Sequence, residues 1–289
     1  MKYKKLSLLV AVMLVLSLFL VTGFTTKRQN THTVYRVYLK GKSLGIIKSK
    51  DSLEKYINKK QAEIKEKYNV KKVYVPSELD IVKEITYDDD LTSVEKIYNK
   101  IKDISPFTIS GYAVKIKGVD SKDSAGKTIK GKNQTIYVLD KKVFSNSVNN
   151  IVKSFIPEDE YNAFVNDTQK EIEDVGKIIE KIYIENTITI RKQKVPVDKK
   201  IYQEEKELSK YLLFGTTEDQ QKYTVKAGDT IEDVAFDNKM STEEFLISNP
   251  SISNAKSLLY AGQEVTLGIL KPQFNVVEKD YVVIQEEKK

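Results

Sequence analysis

Apolar and polar residues alternate from Thr33 to Leu39 (TVYRVYL), the period of a half-buried strand. Gly41-Lys42-Ser43 turns the chain into a returning run, Leu44–Ile47. The period then lengthens. Leu53, Ile57, Ile64 and Tyr68 fall on one face of a helix predicted over Asp51–Tyr68, with Ser49 or Asp51 as its cap. Val70–Val75 (VKKVYV) reads as a strand broken by Pro76, and Ile81–Thr86 as another. Asp88-Asp89-Asp90 places negative charge ahead of a helix predicted over Leu91–Ile101, where the peptide dipoles favour it.

The same grammar then restarts. Thr108–Lys117 (TISGYAVKIK) is a strand, a polar loop covers Gly118–Gly131, and Gln134–Leu139 (QTIYVL) is a second strand. A helix follows with Val143, Val148, Ile151, Val152 and Phe155 facing inward, ending before Pro157. A further helical piece is predicted over Glu158–Asp174, strands within Ile178–Val197, and a short helix over Glu204–Leu213. The stretches beginning at Val73 and at Ile182 share the order strand, turn, strand, loop, helix. The pattern predicts an α+β fold with two tandem units, residues 31–105 and 106–214.

The first thirty residues have a different character. Leu6–Phe24 is a run of nineteen residues without a charge, flanked by Lys2, Lys4 and Lys5. About twenty apolar residues cross a bilayer core, and positive flanks stay on the cytoplasmic side. Residues 1–30 therefore read as a membrane anchor through 6–24, with the bulk of the chain facing the cell wall. A cleaved signal segment, which would make the protein secreted, is the competing reading. The length of the run and the absence of a small-residue cleavage site favour the anchor.

Composition narrows the chemistry. The 289 residues carry 48 Lys+Arg, 41 Asp+Glu, one His and no Cys. Disulfides, thiolate zinc sites and Cys nucleophiles are excluded, and His32 alone cannot supply machinery that needs two imidazoles. Residues 1–30 hold five of the bases and no acid, which leaves 43 bases against 41 acids beyond them. Only Arg28, Arg36 and Arg191 are arginines. A nearly neutral body with its positive charge in lysine gives no footprint for nucleic acid. Gly126-Lys127-Thr128 lacks the earlier glycine of a phosphate loop, because Ser121 stands in its place. Asp88–Asp90 lacks the spaced ligands of a calcium loop, and Glu158-Asp159-Glu160 reads as a helix start after Pro157. Tyr35, Tyr74, Tyr112 and Tyr183 fit core packing with a wet hydroxyl. No residue is a candidate catalyst, no metal or cofactor is called for, and the chain reads as a non-enzyme.

The segment 222–268 is more specific. Tyr223–Val225 is a short strand and Ala227-Gly228 a turn. Thr230 and Asp233 have capping-box spacing, as do Ser241 and Glu244, so two short helices follow one another with Ile231, Val234, Ala235, Phe245 and Leu246 inward. Asn249-Pro250 stops the second helix, and Ala261-Gly262-Gln263 leads into a strand over Glu264–Leu267. The result is a βααβ unit. YTVKAGDTI, MSTEEFLISNPSI and LYAGQEV together resemble a LysM domain, a small module that binds peptidoglycan and chitin. Phe236-Asp237-Asn238-Lys239 stands where a basic stretch ending in Gly is more usual.

The resemblance implies a shallow groove for N-acetylglucosamine-containing glycan. One wall would be Gly228, Asp229, Thr230 and Ile231, the other Asn249, Pro250, Ser251 and Ile252. Backbone groups in two turns can match the donor and acceptor of an acetamido group, and Ile231 or Ile252 can meet its methyl. Any turn or cap would use Asp229, Thr230 and Asn249 as well. The module holds four Lys and seven acids, net −3, which favours a neutral glycan over an anionic polymer. Beyond it, Phe274–Ile284 alternates as a strand, so residues 269–289 read as a strand-like tail and the start of a further module. Anchor, paired α+β units and LysM in this order resemble the N-terminal half of membrane-anchored LysM/lysostaphin-type endopeptidases of Gram-positive bacteria, without the peptidase. Peptidoglycan is the partner this implies. A scaffold that recruits a cell-wall enzyme, or a truncated form of such an endopeptidase, are the alternatives.

Overall fold

A computed structural model describes residues 31–87, 90–122 and 126–284. The run 6–24 and Asp88-Asp89 lie outside the described residues. The protein is a mixed α+β structure with seven helices among them. None of those helices is long and apolar enough to cross a membrane.

The chain forms two compact units. The first comprises the described residues up to Lys59 together with Ser77–Ile104, and the second Lys60–Pro76 together with Ser105 onward. In the first, β1 (His32–Leu39) sits between β2 (Lys42–Ile47) and β4 (Leu79–Thr86) in an antiparallel sheet. Val34, Val37 and Leu39 are wholly buried, as are Leu53 of α1 (Lys50–Tyr68) and Ile97 and Ile101 of α2 (Val94–Ile104). Helix α2 starts three residues later than the charge pattern predicts. The Thr92 amide donates to the Ile46 carbonyl at 2.7 Å, which ties this residue to the end of β2 and keeps it out of the helix. The Ser93 hydroxyl then caps the helix by accepting from the Lys96 amide.

In the second unit, β3 (Val73–Tyr74) pairs with the start of β5 (Thr108–Ile116). Strand β5 also pairs with β8 (Gln134–Val138) and with β10 (Ile188–Pro196), and β11 (Ile201–Tyr202) joins β8 in parallel. A two-residue pair, β6 (Ser121–Lys122) with β7 (Thr128–Ile129), lies in the polar loop. Strand β9 (Gly176–Ile184) does not pair with β10; it forms a ribbon with β14 (Val276–Val283), the strand expected at Phe274–Ile284. In both stretches that share the strand–turn–strand order, the consecutive strands enter different sheets, so neither turn is a hairpin.

Helix α3 (Lys141–Phe155) begins at Asp140, whose carboxylate accepts from the Lys142 amide at 2.9 Å. Its inward face carries Phe144, Ser147 and Ile151, while Phe155 is 39% exposed. Helix α4 (Glu158–Val165) is shorter than predicted. Asp167 takes a positive φ of 54° and the Thr168 amide turns back to the Ala163 carbonyl, which closes the helix. Helix α5 (Glu205–Phe214) packs on α3. One hydrophobic core runs from Val114, Val138 and Leu212 through Phe214 into Val225, Phe245 and Val265. Residues 222–268 are thus built onto the preceding sheet and helices and do not hang from a free tether.

Behind α5, the Lys210 ammonium, nearly buried, meets the exposed Asp219 carboxylate at 2.7 Å. That ammonium holds the Asp219 carboxyl below its ordinary range. A depressed folded-state value contributes stability above the unfolded value and loses it as pH falls. Lys210→Met is therefore expected to flatten the pH dependence of the unfolding midpoint in the acid range below about pH 4. Asp219→Asn should cost more at neutral pH, because it leaves a buried ammonium without its counter-ion. Thermal unfolding of both variants across that range checks this.

Candidate functional site

Strands β12 (Gln221–Thr224) and β13 (Glu264–Leu267) pair antiparallel, Tyr223 opposite Val265 and Thr224 opposite Glu264. Beyond Thr224, Val225 exchanges hydrogen bonds with the turn before β13: its amide donates to Gln263 at 2.9 Å and its carbonyl accepts from Gly262 at 2.8 Å. The chain then turns at Gly228, with φ of 94°, a left-handed value that glycine takes without steric cost.

Asp229 fixes this turn from inside. One carboxylate oxygen accepts from the Lys226 amide at 2.9 Å and from the Tyr223 hydroxyl at 2.7 Å. The Lys226 amide first, and then the Tyr223 hydroxyl, hold the Asp229 carboxyl below its usual range; the same carboxylate pushes the Tyr223 phenol up. Thr230 begins α6 (Ile231–Asp237) with a complete capping box. Its hydroxyl accepts from the Asp233 amide at 3.1 Å, and Asp233 accepts from the Thr230 amide at 3.3 Å. Ile231 points into the core and is 1% exposed.

Ser241 and Glu244 form the second capping box, at the start of α7 (Thr242–Ser248). Burial pushes the Glu244 carboxyl up, against the amide of Ser241 that it accepts from. The Ser241 hydroxyl also donates to the Ser154 carbonyl, which ties this helix to α3. Asn249 ends α7 buried. Its amide donates to the carbonyls of Phe245 (2.9 Å) and Thr266 (2.8 Å), and its oxygen accepts from the Thr266 amide at 2.7 Å. The turn after it closes when the Ile252 amide donates to the Asn249 carbonyl at 2.9 Å. Pro250 is half-buried, Ser251 is exposed, and Ile252 packs half-buried against the core.

The first turn leaves the sheet opposite Glu264, and Asn249 pins the second at Thr266, two residues further along the same strand. Two residues of strand span about 7 Å, so one strand carries both segments. Their side chains divide sharply. Ile231 belongs to the core, and the Asn249 amide and one Asp229 oxygen are consumed internally. Gly228 and Ser251 are exposed, and neither forms a hydrogen bond with the rest of the described chain. What these turns can present to a ligand is chiefly backbone, with Ile252 as the apolar element.

A cleft of about 250 Å³ opens beside the second turn. Leu246, Ile247, Pro250 and Ile252 line one side; Asn150 and Lys153 of α3 and Lys206 and Ser209 of α5 line the other. Sequence reasoning placed no function on α3 or α5. Each contributes a polar pair at i,i+3, the spacing that puts two side chains on one helix face, and that was the available signal.

Residues 223–268 match the model of the LysM domain. No curated protein and no solved structure matches the chain. LysM is a binding domain, and the match supports a protein that binds peptidoglycan or a related N-acetylglucosamine glycan.

Proposed function

We propose that this chain is a non-catalytic peptidoglycan-binding protein, held at the outer face of the membrane through residues 6–24, with its LysM domain gripping N-acetylglucosamine units. Gly228, Asp229, Thr230 and Ile231 form one wall of the groove and Asn249, Pro250, Ser251 and Ile252 the other. The backbone of Gly228 and Ser251 pairs with acetamido groups, and Ile252 meets the methyl. Asp229, Thr230, Ile231 and Asn249 serve as the frame that sets the turns. The α+β portions before residue 222 carry the groove outward, in the manner of the front half of a LysM/lysostaphin-type endopeptidase.

The observation that supports this most is the LysM match over 223–268, on a segment that completes the βααβ order. Retention of the full chain on insoluble peptidoglycan tests it. Gly228→Val keeps open space around the new side chain but forces a β-branched residue to a φ of 94°. A left-handed conformation costs such a residue about 1–2 kcal/mol, so the turn is expected to shift. Retention should fall about tenfold while the unfolding midpoint moves by only a few degrees. A folded wild-type chain that is not retained ends the reading.

A further inference from the structure

We infer that the cleft beside Pro250 makes the groove selective for glycan that carries a carboxylate, held by Lys153 and Lys206 from helices outside the LysM domain. The inference rests on the glycan reading above and adds the ligand's acidic substituent to it.

Charge is the first argument. Residues 222–268 carry four Lys against seven acids, so the domain alone disfavours an anion. The cleft reverses this locally with two ammonium groups. Neither is neutralised by a carboxylate. The Lys206 ammonium donates to the Pro250 carbonyl at 2.6 Å, and the Lys153 ammonium stands over the Tyr161 ring at 5.6 Å. Two acids stand nearby. Glu205 is held by the Asn150 amide at 2.8 Å, and Glu243 lines the cleft, leaving the lining itself at two cations against one anion.

Position is the second argument. Pro250 and Ile252 belong both to the proposed groove and to the cleft wall, and Lys206 reaches the Pro250 carbonyl itself. A sugar seated at the second turn would therefore have its substituent within reach of both ammonium groups. The size agrees. The cleft is smaller than the roughly 300–1,000 Å³ of pockets that enclose drug-sized ligands. It suits one sugar residue or its acidic branch, with Leu246 and Ile247 beneath and the rest of the glycan outside. In peptidoglycan that acid is the lactyl or stem-peptide carboxylate; chitin has none.

Titration calorimetry on the full chain compares three ligands: a neutral chito-oligosaccharide, a peptidoglycan glycan fragment of equal length bearing stem-peptide carboxylates, and poly(glycerol phosphate). The carboxylated glycan is expected to bind about three- to tenfold tighter than the neutral one. The gap should close at about 0.5 M salt. Lys153→Gln should remove most of the preference and leave affinity for the neutral glycan unchanged. Lys206→Arg should keep the preference, and Lys206→Gln should lose it. Equal affinities in the wild type, or a preference that survives both glutamine variants, overturn the inference. Poly(glycerol phosphate) binding as tightly as the carboxylated glycan also overturns it, because the cleft is then a plain anion site. If neutral glycan does not bind at all, it is the glycan reading that has failed. If it binds without any preference, only this inference has.

Discussion

Asn249→Leu is expected to destabilise the LysM portion by about 2–4 kcal/mol, since leucine has a similar volume but no polar atoms. The buried amide of Asn249 serves the carbonyls of Phe245 and Thr266 and accepts from the Thr266 amide. Leucine would leave the buried Thr266 amide without its acceptor, which costs more than the hydrogen bond contributes net, and would take one donor from each of the two carbonyls, which keep the Ser248 hydroxyl. Thermal unfolding should show a fall of roughly 4–16 °C. Asn249→Asp gives a sharper check. It keeps the acceptor for the Thr266 amide but sets a carboxylate against two carbonyl oxygens. Burial against those carbonyls raises the folded-state pKa of the new carboxyl above its unfolded value, and protonation would restore one donor, so this variant should regain stability as pH falls towards about 4 and lose it as pH rises above that. A variant as stable as the wild type would mean that the asparagine does not fasten the second turn to β13.

Gly268→Val is expected to break the junction between α5 and the LysM portion. A Cβ at Gly268 would stand 2.2–2.6 Å from three ring carbons of Phe214, which is itself 1% exposed in the shared core. Neither the ring nor the strand end has room to yield, and overpacking of this kind costs about 1–3 kcal/mol or more. The loss should appear as a lower unfolding midpoint and as faster proteolysis between Gly215 and Gln221. The smaller pair Gly268→Ala with Phe214→Leu should lose less than the sum of the two single changes, because the trimmed ring makes room for the methyl. Additive losses would place the two residues out of contact.

The sequence made local features plain. Both capping boxes of the LysM portion, Thr230 with Asp233 and Ser241 with Glu244, are complete at the predicted spacing. They were readable because a cap is a contact between residues three apart. Helices α1, α3 and α5 fall close to their predicted spans for the same reason. Pairing was not readable. Strand β3 joins β5, and β9 joins β14 almost a hundred residues later. Alternation says only that a strand has two faces, never which edge it will find. The end of α4 was missed because Asp167 enters the left-handed region, a backbone choice open to Asp that no periodicity reports.

The two turns were legible in position, but the part their side chains play in the fold was not. Asn249 and Ile231 sit where the motif puts them, yet both face inward, because a domain this small needs these side chains for its own core and turns. Lys153 and Lys206 were beyond reach for the opposite reason. Nothing near them in sequence resembles a binding motif, and only the packing of α3 and α5 against α7 brings them to the Pro250 turn.

The central claim is that two short backbone segments hold the sugar. Amide chemical-shift mapping of the full chain, titrated with a neutral chito-oligosaccharide, reads this directly. The largest shifts should fall on the amides of Gly228–Ile231 and of Ser251 and Ile252, while Phe236 and Tyr260, the most exposed aromatic side chains of the domain, stay still. Shifts centred on Phe236 and Tyr260, with the two turns unmoved, would contradict it.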